Sequence, residues 1–291
     1  MEHKAGFVNI VGKPNVGKST LMNAMVGEKL SIITPKAQTT RHRILGIVNS
    51  DDYQIVFSDT PGIVKPHYEL HKSMMKFVEG AFEDADIILF VTEVKEKEFE
   101  EENIQRILNA KVPVVIIINK VDLVEQDVAA KKIDELKLLF PDAKCIPVSA
   151  LHKFNIEGII NEIVELLPES PPYYPKDELT DRSTRFFVSE IIREKILLLY
   201  KQEIPYSAQV IIETYIEEPK LTRIAATIHV ARDTQKSILI GKGGIAIKRL
   251  GTDSRKDIET FIGQKVFLEL FVKVTKDWRD DERTLRHFGY E

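Results

Sequence analysis

A glycine-rich segment, Gly12-Lys13-Pro14-Asn15-Val16-Gly17-Lys18-Ser19, constrains the fold of this chain more than any other feature. It matches the pattern G-x-x-x-x-G-K-[ST] in full, follows the strand-like run 7–11 and opens a helical pattern at Thr20. Backbone N–H groups of such a loop converge on phosphate oxygens, and the N-terminus of the following helix adds partial positive charge. The segment therefore predicts a nucleotide phosphate site at a strand-to-helix junction.

The residues that follow alternate short apolar runs with helical patterns. Residues 54–57, 87–91 and 114–118 are rich in Val, Ile, Leu and Phe, as expected of strands buried on both faces. Apolar residues recur at helical spacing in 127–140 and 155–167. The acidic run 95–102 is expected to be a solvated helix start rather than a binding site. This alternation predicts an α/β domain with a doubly wound, mostly parallel sheet.

A proline-rich segment divides the chain. Four prolines between Pro168 and Pro175 exclude a helix or a central strand there. We therefore predict four parts: a nucleotide-binding domain over 1–168, an extended linker over 169–180, an α+β domain over 181–275, and a tail helix over 276–291. The second domain is predicted from a helix over 181–200, strands over 208–216 and 223–230, a helix over 246–262 and a strand over 266–274.

Composition excludes several classes of protein. The chain has 291 residues and one Cys, so it can form no internal disulfide, and a reducing compartment is expected. Its apolar runs are shorter than the ~18–20 residues of a membrane span. Its seven His show no spacing typical of a metal site, and His67 and His71, four residues apart, are expected to be exposed. The net charge of −4 argues against nucleic-acid binding, but it averages two unlike halves. Residues 1–180 carry 21 basic and 28 acidic side chains and are acidic, whereas residues 181–291 carry 20 basic and 17 acidic side chains and are basic.

Three further motifs follow the phosphate loop in a fixed order. Asp59-Thr60-Pro61-Gly62 ends a strand-like run, Asn119-Lys120-Val121-Asp122 ends the most apolar run, and Ser149-Ala150-Leu151 follows the next strand. The Asp122 carboxylate can accept hydrogen bonds from guanine N1–H and the 2-amino group, and adenine offers neither donor. Together these motifs predict a guanine nucleotide site.

The four motifs resemble those of translation-factor-class GTPases, and residues 35–43 resemble the first switch loop of the Era family. The resemblance implies that Lys18 bridges the β- and γ-phosphates, that Gly62 meets the γ-phosphate, and that Mg²⁺ is held by Ser19, Thr40 and Asp59. It favours Thr40 over Thr39 as the switch threonine. The predicted nucleotide-binding residues are Gly12, Lys13, Pro14, Asn15, Val16, Gly17, Lys18, Ser19, Thr20, Asp59, Thr60, Pro61, Gly62, Asn119, Lys120, Asp122, Ser149, Ala150 and Leu151.

Hydrolysis is expected to be slow without further help. Ile63 stands where many small GTPases carry a Gln that orients the attacking water, and Ile cannot hydrogen-bond to water. In related GTPases with this departure, an Asn at the position of Asn15 ligates K⁺. Asn15 therefore either ligates K⁺ during catalysis or only stabilises the loop.

A second motif lies in the C-terminal half. Ile240-Gly241-Lys242-Gly243-Gly244 begins the pattern [IV]-G-x-x-G-x-x-I between two helical segments, the setting of a type II KH domain. Residues 232–256 carry seven basic and two acidic side chains. We predict an RNA contact through Ile240, Gly241, Lys242, Gly243, Gly244, Lys248 and Arg249.

The resemblance to the Era family extends over almost the whole chain, including the tail around Trp278. It implies a monomeric, cytoplasmic GTPase that binds GTP and GDP, binds the 3′ end of 16S ribosomal RNA and assists assembly of the 30S subunit. It also implies peripheral association with the inner membrane, for which the sequence has no amphipathic basic helix with an aromatic face. Two alternatives stay open: a GTPase that regulates protein partners, and an RNA-binding protein in which GTP is structural.

Overall fold

The computed structural model describes residues 3–290. Met1, Glu2 and Glu291, which belong to the predicted first domain and tail, lie outside the described residues. The chain forms two compact units. One extends to Lys65 and resumes from Met74 to Asp181, and the other contains Pro66–Ser73 and the chain from Arg182 onward.

The first unit contains a six-stranded sheet with helices between its strands. The strands are β1 (Lys4–Val11), β2 (Ile44–Asn49), β3 (Tyr53–Asp59), β4 (Ile87–Glu93), β5 (Val114–Asn119) and β6 (Lys144–Pro147). The helices are α1 (Lys18–Val26), α2 (Glu69–Glu83, whose first turn lies in the other unit), α3 (Glu101–Leu108), α4 (Gln126–Leu139) and α5 (Ile156–Leu166). The strand order is β2-β3-β1-β4-β5-β6, and only β2 is antiparallel to its neighbour.

This register brings the predicted motifs to one edge of the sheet. Ile10 pairs with Asp59 and Glu93 pairs with Asn119, so the carboxyl ends of β1, β3, β4 and β5 lie side by side. Ligands of doubly wound folds bind at the carboxyl ends of parallel strands. The mostly parallel α/β fold predicted from the sequence is confirmed.

The apolar runs are buried as strands on both faces. Every residue of β4 except Glu93 is buried, and so is every residue of β5 except Val114. Two elements of this unit were not predicted: β2 and α2. Strand β2 alternates poorly, and the acidic run 95–102, read as a solvated helix start, begins its helix only at Glu101.

The proline-rich segment is held against the sheet rather than standing free. Leu179 O accepts from Ile47 N at 2.9 Å, and the Thr180 hydroxyl donates to Leu45 O at 2.7 Å. The Gln54 amide oxygen accepts from the backbone of Tyr173 and Tyr174. These bonds cover part of the edge strand β2.

The second unit has a three-stranded sheet covered by helices. Its helices are α6 (Thr184–Leu199), α7 (Ile204–Ser207), α8 (Asp233–Ile240), α9 (Ile245–Ile262) and α10 (Glu282–His287), and its strands are β7 (Gln209–Glu218), β8 (Leu221–Val230) and β9 (Val266–Val274). Strands β7 and β8 are antiparallel, and β9 is parallel to β8. Helix α6 begins at Thr184, three residues later than predicted, and Ser183 is its N-cap residue.

The tail packs within this second unit. The Trp278 ring is fully buried, and its Nε1 donates to Ser207 O at 3.0 Å. The Tyr290 hydroxyl donates to Gln209 Oε1 at 2.7 Å. Residues 66–73 belong to the same unit, where the Arg279 guanidinium lies 4.9 Å from the Tyr68 ring centre.

One expectation about this segment was wrong. His67 and His71 were both expected to be exposed, but His71 is buried and its ring stacks on Tyr68 at 3.8 Å.

Candidate nucleotide and RNA sites

The phosphate loop joins β1 to α1 in a conformation that glycine makes possible. Gly17 has φ of 100°, and a Cβ there would lie 2.2 Å from the Asn119 side chain. Close approach is also required at Gly62, where a Cβ would lie 2.7 Å from Pro14 Cα. The loop after β3 therefore rests directly on the phosphate loop, and neither position accepts a side chain without backbone movement.

Lys18 is directed into this loop. Its Nζ donates to Gly12 O and Lys13 O, both at 2.9 Å, and the side chain is buried. Burial lowers the pKa of Lys18 to about 8, and the nearby Asp59 carboxylate opposes that shift. A phosphate at this position would favour the charged ammonium.

Asp59 is the centre of an oxygen-rich cluster at the end of β3. Its Oδ2 accepts from Ser19 Oγ at 2.6 Å, Ser31 Oγ at 2.9 Å and Thr40 Oγ1 at 3.2 Å. Burial raises the pKa of Asp59, although those hydroxyl bonds and the Lys18 charge oppose the shift. Within residues 3–290, the buried Asp59 Oδ1 has no hydrogen-bond partner.

This donor set fits Mg²⁺, which prefers carboxylate and hydroxyl oxygens. Ser19 Oγ lies 2.8 Å from Thr40 Oγ1, so the three predicted metal ligands adjoin one another. Thr39 instead donates to Lys36 O at 2.7 Å and lies 2.7 Å from Thr34 Oγ1. The sequence analysis did not identify Ser31, because it belongs to no motif and contacts Asp59 only in the folded chain.

A cavity of about 350 Å³ lies beside these groups. Its lining joins the phosphate loop, the first switch loop and the loop after β3: Pro14, Asn15, Gly17, Lys18, Ser19, Thr20, Ile32, Ile33, Thr34, Pro35, Gln38, Thr39, Thr40, Thr60, Gly62 and Lys120. Asn15 is exposed there and has a φ of 64°. Thr60 is buried, and its hydroxyl donates to Ile10 O at 2.8 Å.

Asn119 joins the loops that the sequence predicts to surround the base. Its Nδ2 donates to Val16 O at 2.8 Å, and its Oδ1 accepts from Ala150 N at 3.0 Å. Lys120 Nζ donates to Asn15 O at 2.6 Å and forms an ion pair with Glu93. Ser149 and Ala150 are thus drawn to the same edge of the sheet as the phosphate loop.

The remaining predicted base contacts face outward. The Asp122 carboxylate lies beyond the cavity lining, 3.8 Å from His152 Nε2, and the Leu151 side chain is exposed. An open carboxylate at this edge is available to the N1–H and 2-amino group of a guanine.

The second candidate site is the turn between α8 and α9. Gly241, Gly243 and Gly244 have φ of 72°, 62° and 78°, and a Cβ on Gly243 or Gly244 would meet no atom within 4 Å. Lys242, Lys248 and Arg249 are exposed. The turn therefore presents open backbone and positive charge to solvent, as a nucleic-acid backbone requires.

A groove of about 330 Å³ lies between α9 and β9. It is lined by Ile247, Lys248, Gly251, Thr252, Arg255, Leu268 and Leu270. Lys248 is the only residue of the predicted RNA set in that lining. Thr252 was missed, because a groove wall depends on how a helix packs beside a strand.

Comparison with known proteins finds a family match in each half of the chain. Residues 7–120 match a family described as 50S ribosome-binding GTPase, and residues 203–279 match the KH domain family. The chain is 44% identical to GTPase Era of Staphylococcus haemolyticus, over 99% of this chain and 98% of that protein.

Solved structures agree over the full length. The chain superposes with a TM-score of 0.94 on a variant of Aquifex aeolicus Era bound to GDP and AlF4⁻, at 39% identity and 99% coverage of both chains. A second structure, Era with MgGDPNP and nucleotides 1506–1542 of 16S ribosomal RNA, also gives 0.94, at 40% identity and the same coverage.

The fold and the two sites define a P-loop GTPase that carries a C-terminal KH domain. The similarity to Era proteins extends over both the GTPase part and the KH part of the chain. The chain belongs to the Era family of GTPases.

Proposed function

We propose that this protein is a GTP-hydrolysing switch that binds the 3′ end of 16S ribosomal RNA through its KH domain and assists assembly of the 30S subunit. The observation that carries the proposal is that a phosphate loop and a KH turn occur together in a chain that matches Era over 99% of its length. We also propose the domain limits 1–168, 169–180, 181–275 and 276–291, and the division of compact units after Asp181 supports the limit between the linker and the second domain.

Catalysis in this proposal is positioning and charge stabilisation. Ser19, Thr40 and Asp59 would hold Mg²⁺, which neutralises charge on the β- and γ-phosphates. Lys18 contacts those phosphates, and the Gly62 amide meets the γ-phosphate. Ile63 supplies no group that orients water, and its amide donates to Gly12 O at 3.1 Å. The intrinsic rate is therefore slow.

K⁺ is proposed to supply the missing charge through Asn15. The exposed side chain and its place in the cavity lining support this role. The contact with Lys120 leaves the Asn15 side-chain amide available, because Lys120 Nζ donates to the Asn15 backbone carbonyl.

The choice of ribosomal subunit rests on the full-length relatives. The family that matches residues 7–120 is described as a 50S ribosome-binding GTPase, but that match covers only the GTPase part of the chain. The relative solved with a 16S fragment matches both parts of the chain. We therefore propose the small subunit as partner.

Location and oligomeric state are proposed from the family: a cytoplasmic monomer with peripheral association at the inner membrane. Among residues 3–290, no helix has the length and apolar character needed to cross a bilayer.

One experiment separates the proposal from its alternatives. GTP turnover is measured in K⁺ and in Na⁺ buffer, and binding to an RNA with the 16S 3′-end sequence is measured against a scrambled RNA, with GDPNP and with GDP. We expect faster turnover in K⁺ and preferential binding of the 16S sequence.

The failures of this experiment are distinct. Turnover without RNA binding favours a regulator of protein partners, and RNA binding without turnover favours structural GTP. Equal turnover in K⁺ and Na⁺ removes the potassium role alone.

A further inference from the structure

The loop after β4 folds back toward the phosphate loop instead of entering solvent. It belongs to the acidic run 95–102, which was expected to be solvated. Glu96 departs from that expectation, because only 10% of its side chain is exposed. A carboxylate that is largely withdrawn from water requires compensating partners.

Glu96 has such partners: an ion pair at one carboxylate oxygen, a hydrogen bond at the other, and hydrogen bonds at its backbone N–H and carbonyl. Its Oε1 lies 2.8 Å from Lys13 Nζ, and its Oε2 accepts from the Thr92 hydroxyl at 2.7 Å. Thr92 is fully buried near the end of β4. The backbone carbonyl of Glu96 accepts from Lys132 Nζ at 2.6 Å, and its N–H donates to Glu93 O at 2.9 Å.

Lys13 connects this cluster to the phosphate loop. Its Nζ also donates to Glu98 O at 2.7 Å, so the ammonium is held from two sides of the loop after β4. The carbonyl of Lys13 is one of the two that accept from Lys18 Nζ. Glu96 is therefore one residue removed from the backbone that orients Lys18.

We propose that Glu96 is a positioning residue for the phosphate loop, which it holds in its nucleotide-binding conformation through Lys13. This inference rests on the proposed nucleotide site. A loop that is already ordered loses less conformational freedom when a nucleotide binds. Within residues 3–290, Glu96 is not part of the cavity lining, so it acts on binding and not on the chemical step.

The ion pair is suited to this role by its burial. Lys13 and Glu96 side chains are 33% and 10% exposed, so water screens the pair less than a surface pair. The buried Thr92 hydroxyl fixes the orientation of the carboxylate. Removal of the charge should let the Lys13 side chain move and should loosen the backbone of the loop.

The test compares nucleotide dissociation in four variants and the wild type. Glu96→Gln and Lys13→Met each remove one partner, and the double variant removes both. Glu98→Gln is the matched control, since it changes the same charge two residues away and keeps the carbonyl that contacts Lys13. The release of a fluorescent GDP is followed by stopped flow, and kcat and KM for GTP are measured separately.

We expect Glu96→Gln to speed GDP release and raise KM by about fivefold, with kcat unchanged, and Glu98→Gln to match the wild type. The double variant should release GDP no faster than Lys13→Met alone, because both changes break one contact. Additive effects, or a fall in kcat without a change in KM, would overturn the proposal.

Thr92→Val provides a second test of the same contact in case Glu96→Gln fails to fold. It removes only the hydroxyl that orients the carboxylate, and it should speed GDP release by about twofold while the melting temperature falls by only a few degrees. If the wild type binds no guanine nucleotide, the proposed function fails. If it binds normally and both Glu96→Gln and Thr92→Val do too, only the role of Glu96 fails.

Discussion

The nucleotide site and the KH turn differ in how they can recognise a ligand. At the nucleotide site, buried polar atoms already contact one another: Asp59 accepts from three hydroxyls, and Asn119 joins two loops. At the turn between α8 and α9 and at the start of α9, Lys242, Lys248 and Arg249 are exposed. The first arrangement fixes the geometry of one small ligand, whereas the second provides charge and an open backbone to a polymer.

The difference teaches where each site should be sensitive. A preorganised site loses affinity when one buried partner changes, because the remaining polar atoms stay buried and unpaired. An open basic groove loses affinity by charge, and the loss should depend on salt.

The largest expected effect concerns base recognition. Asp122→Asn removes a carboxylate that accepts two guanine hydrogen bonds, so GTP affinity should fall about a hundredfold, or ~3 kcal/mol, while XTP affinity rises. Isothermal titration with GTP, XTP and ATP measures the change. Asp134→Asn, on the exposed face of α4, is the control. An unchanged preference for GTP would refute the guanine assignment, and any loss of RNA binding would weaken the contrast between the sites.

The KH turn should give the next largest effect. The combined change Lys242→Asp and Gly244→Asp places two negative charges where a phosphate would approach, so RNA affinity should fall about thirtyfold, or ~2 kcal/mol, with GTP binding intact. Filter binding at several salt concentrations should also show a shallower salt dependence. Lys220→Asp changes an exposed charge elsewhere in the same unit and serves as control. Equal losses in the two variants would argue against a specific role for the turn.

Gly62 tests how tightly the nucleotide site is packed. Gly62→Ala should lower GTP turnover about tenfold, because its Cβ would lie 2.7 Å from backbone atoms of Pro14 and displace the amide from the γ-phosphate. Gly80→Ala is the matched control. A Cβ there meets no atom within 4 Å in α2, so turnover should be unchanged and stability should rise by about 0.5–1 kcal/mol. Normal turnover in Gly62→Ala would show that this loop moves away during catalysis.

The same contrast explains what the sequence could predict. The phosphate and base motifs follow buried strands, so the apolar runs in the sequence located them. Parallel pairing of those strands then places Asp59 beside Ile10 and Asn119 beside Glu93. The groove beside β9 was predicted only as an apolar strand near a basic turn. Its wall residue Thr252 depends on how α9 packs, which no local pattern encodes. Likewise, nothing in residues 95–102 distinguishes Glu96 from its solvated neighbours.

Ser31 should give the smallest effect, and it examines a residue that no motif contains. Ser31→Ala removes one of the three hydroxyls that donate to Asp59 Oδ2, leaving Ser19 and Thr40 in place. The carboxylate should lose orientation at a cost of about 1 kcal/mol, so the Mg²⁺ concentration for half-maximal GTP turnover should rise about fivefold. Thr39→Val is the control, because that hydroxyl contacts Thr34 and Lys36 rather than Asp59. If Thr39→Val raises the Mg²⁺ requirement more than Ser31→Ala, the switch threonine is Thr39, and the cluster around Asp59 does not define the metal site.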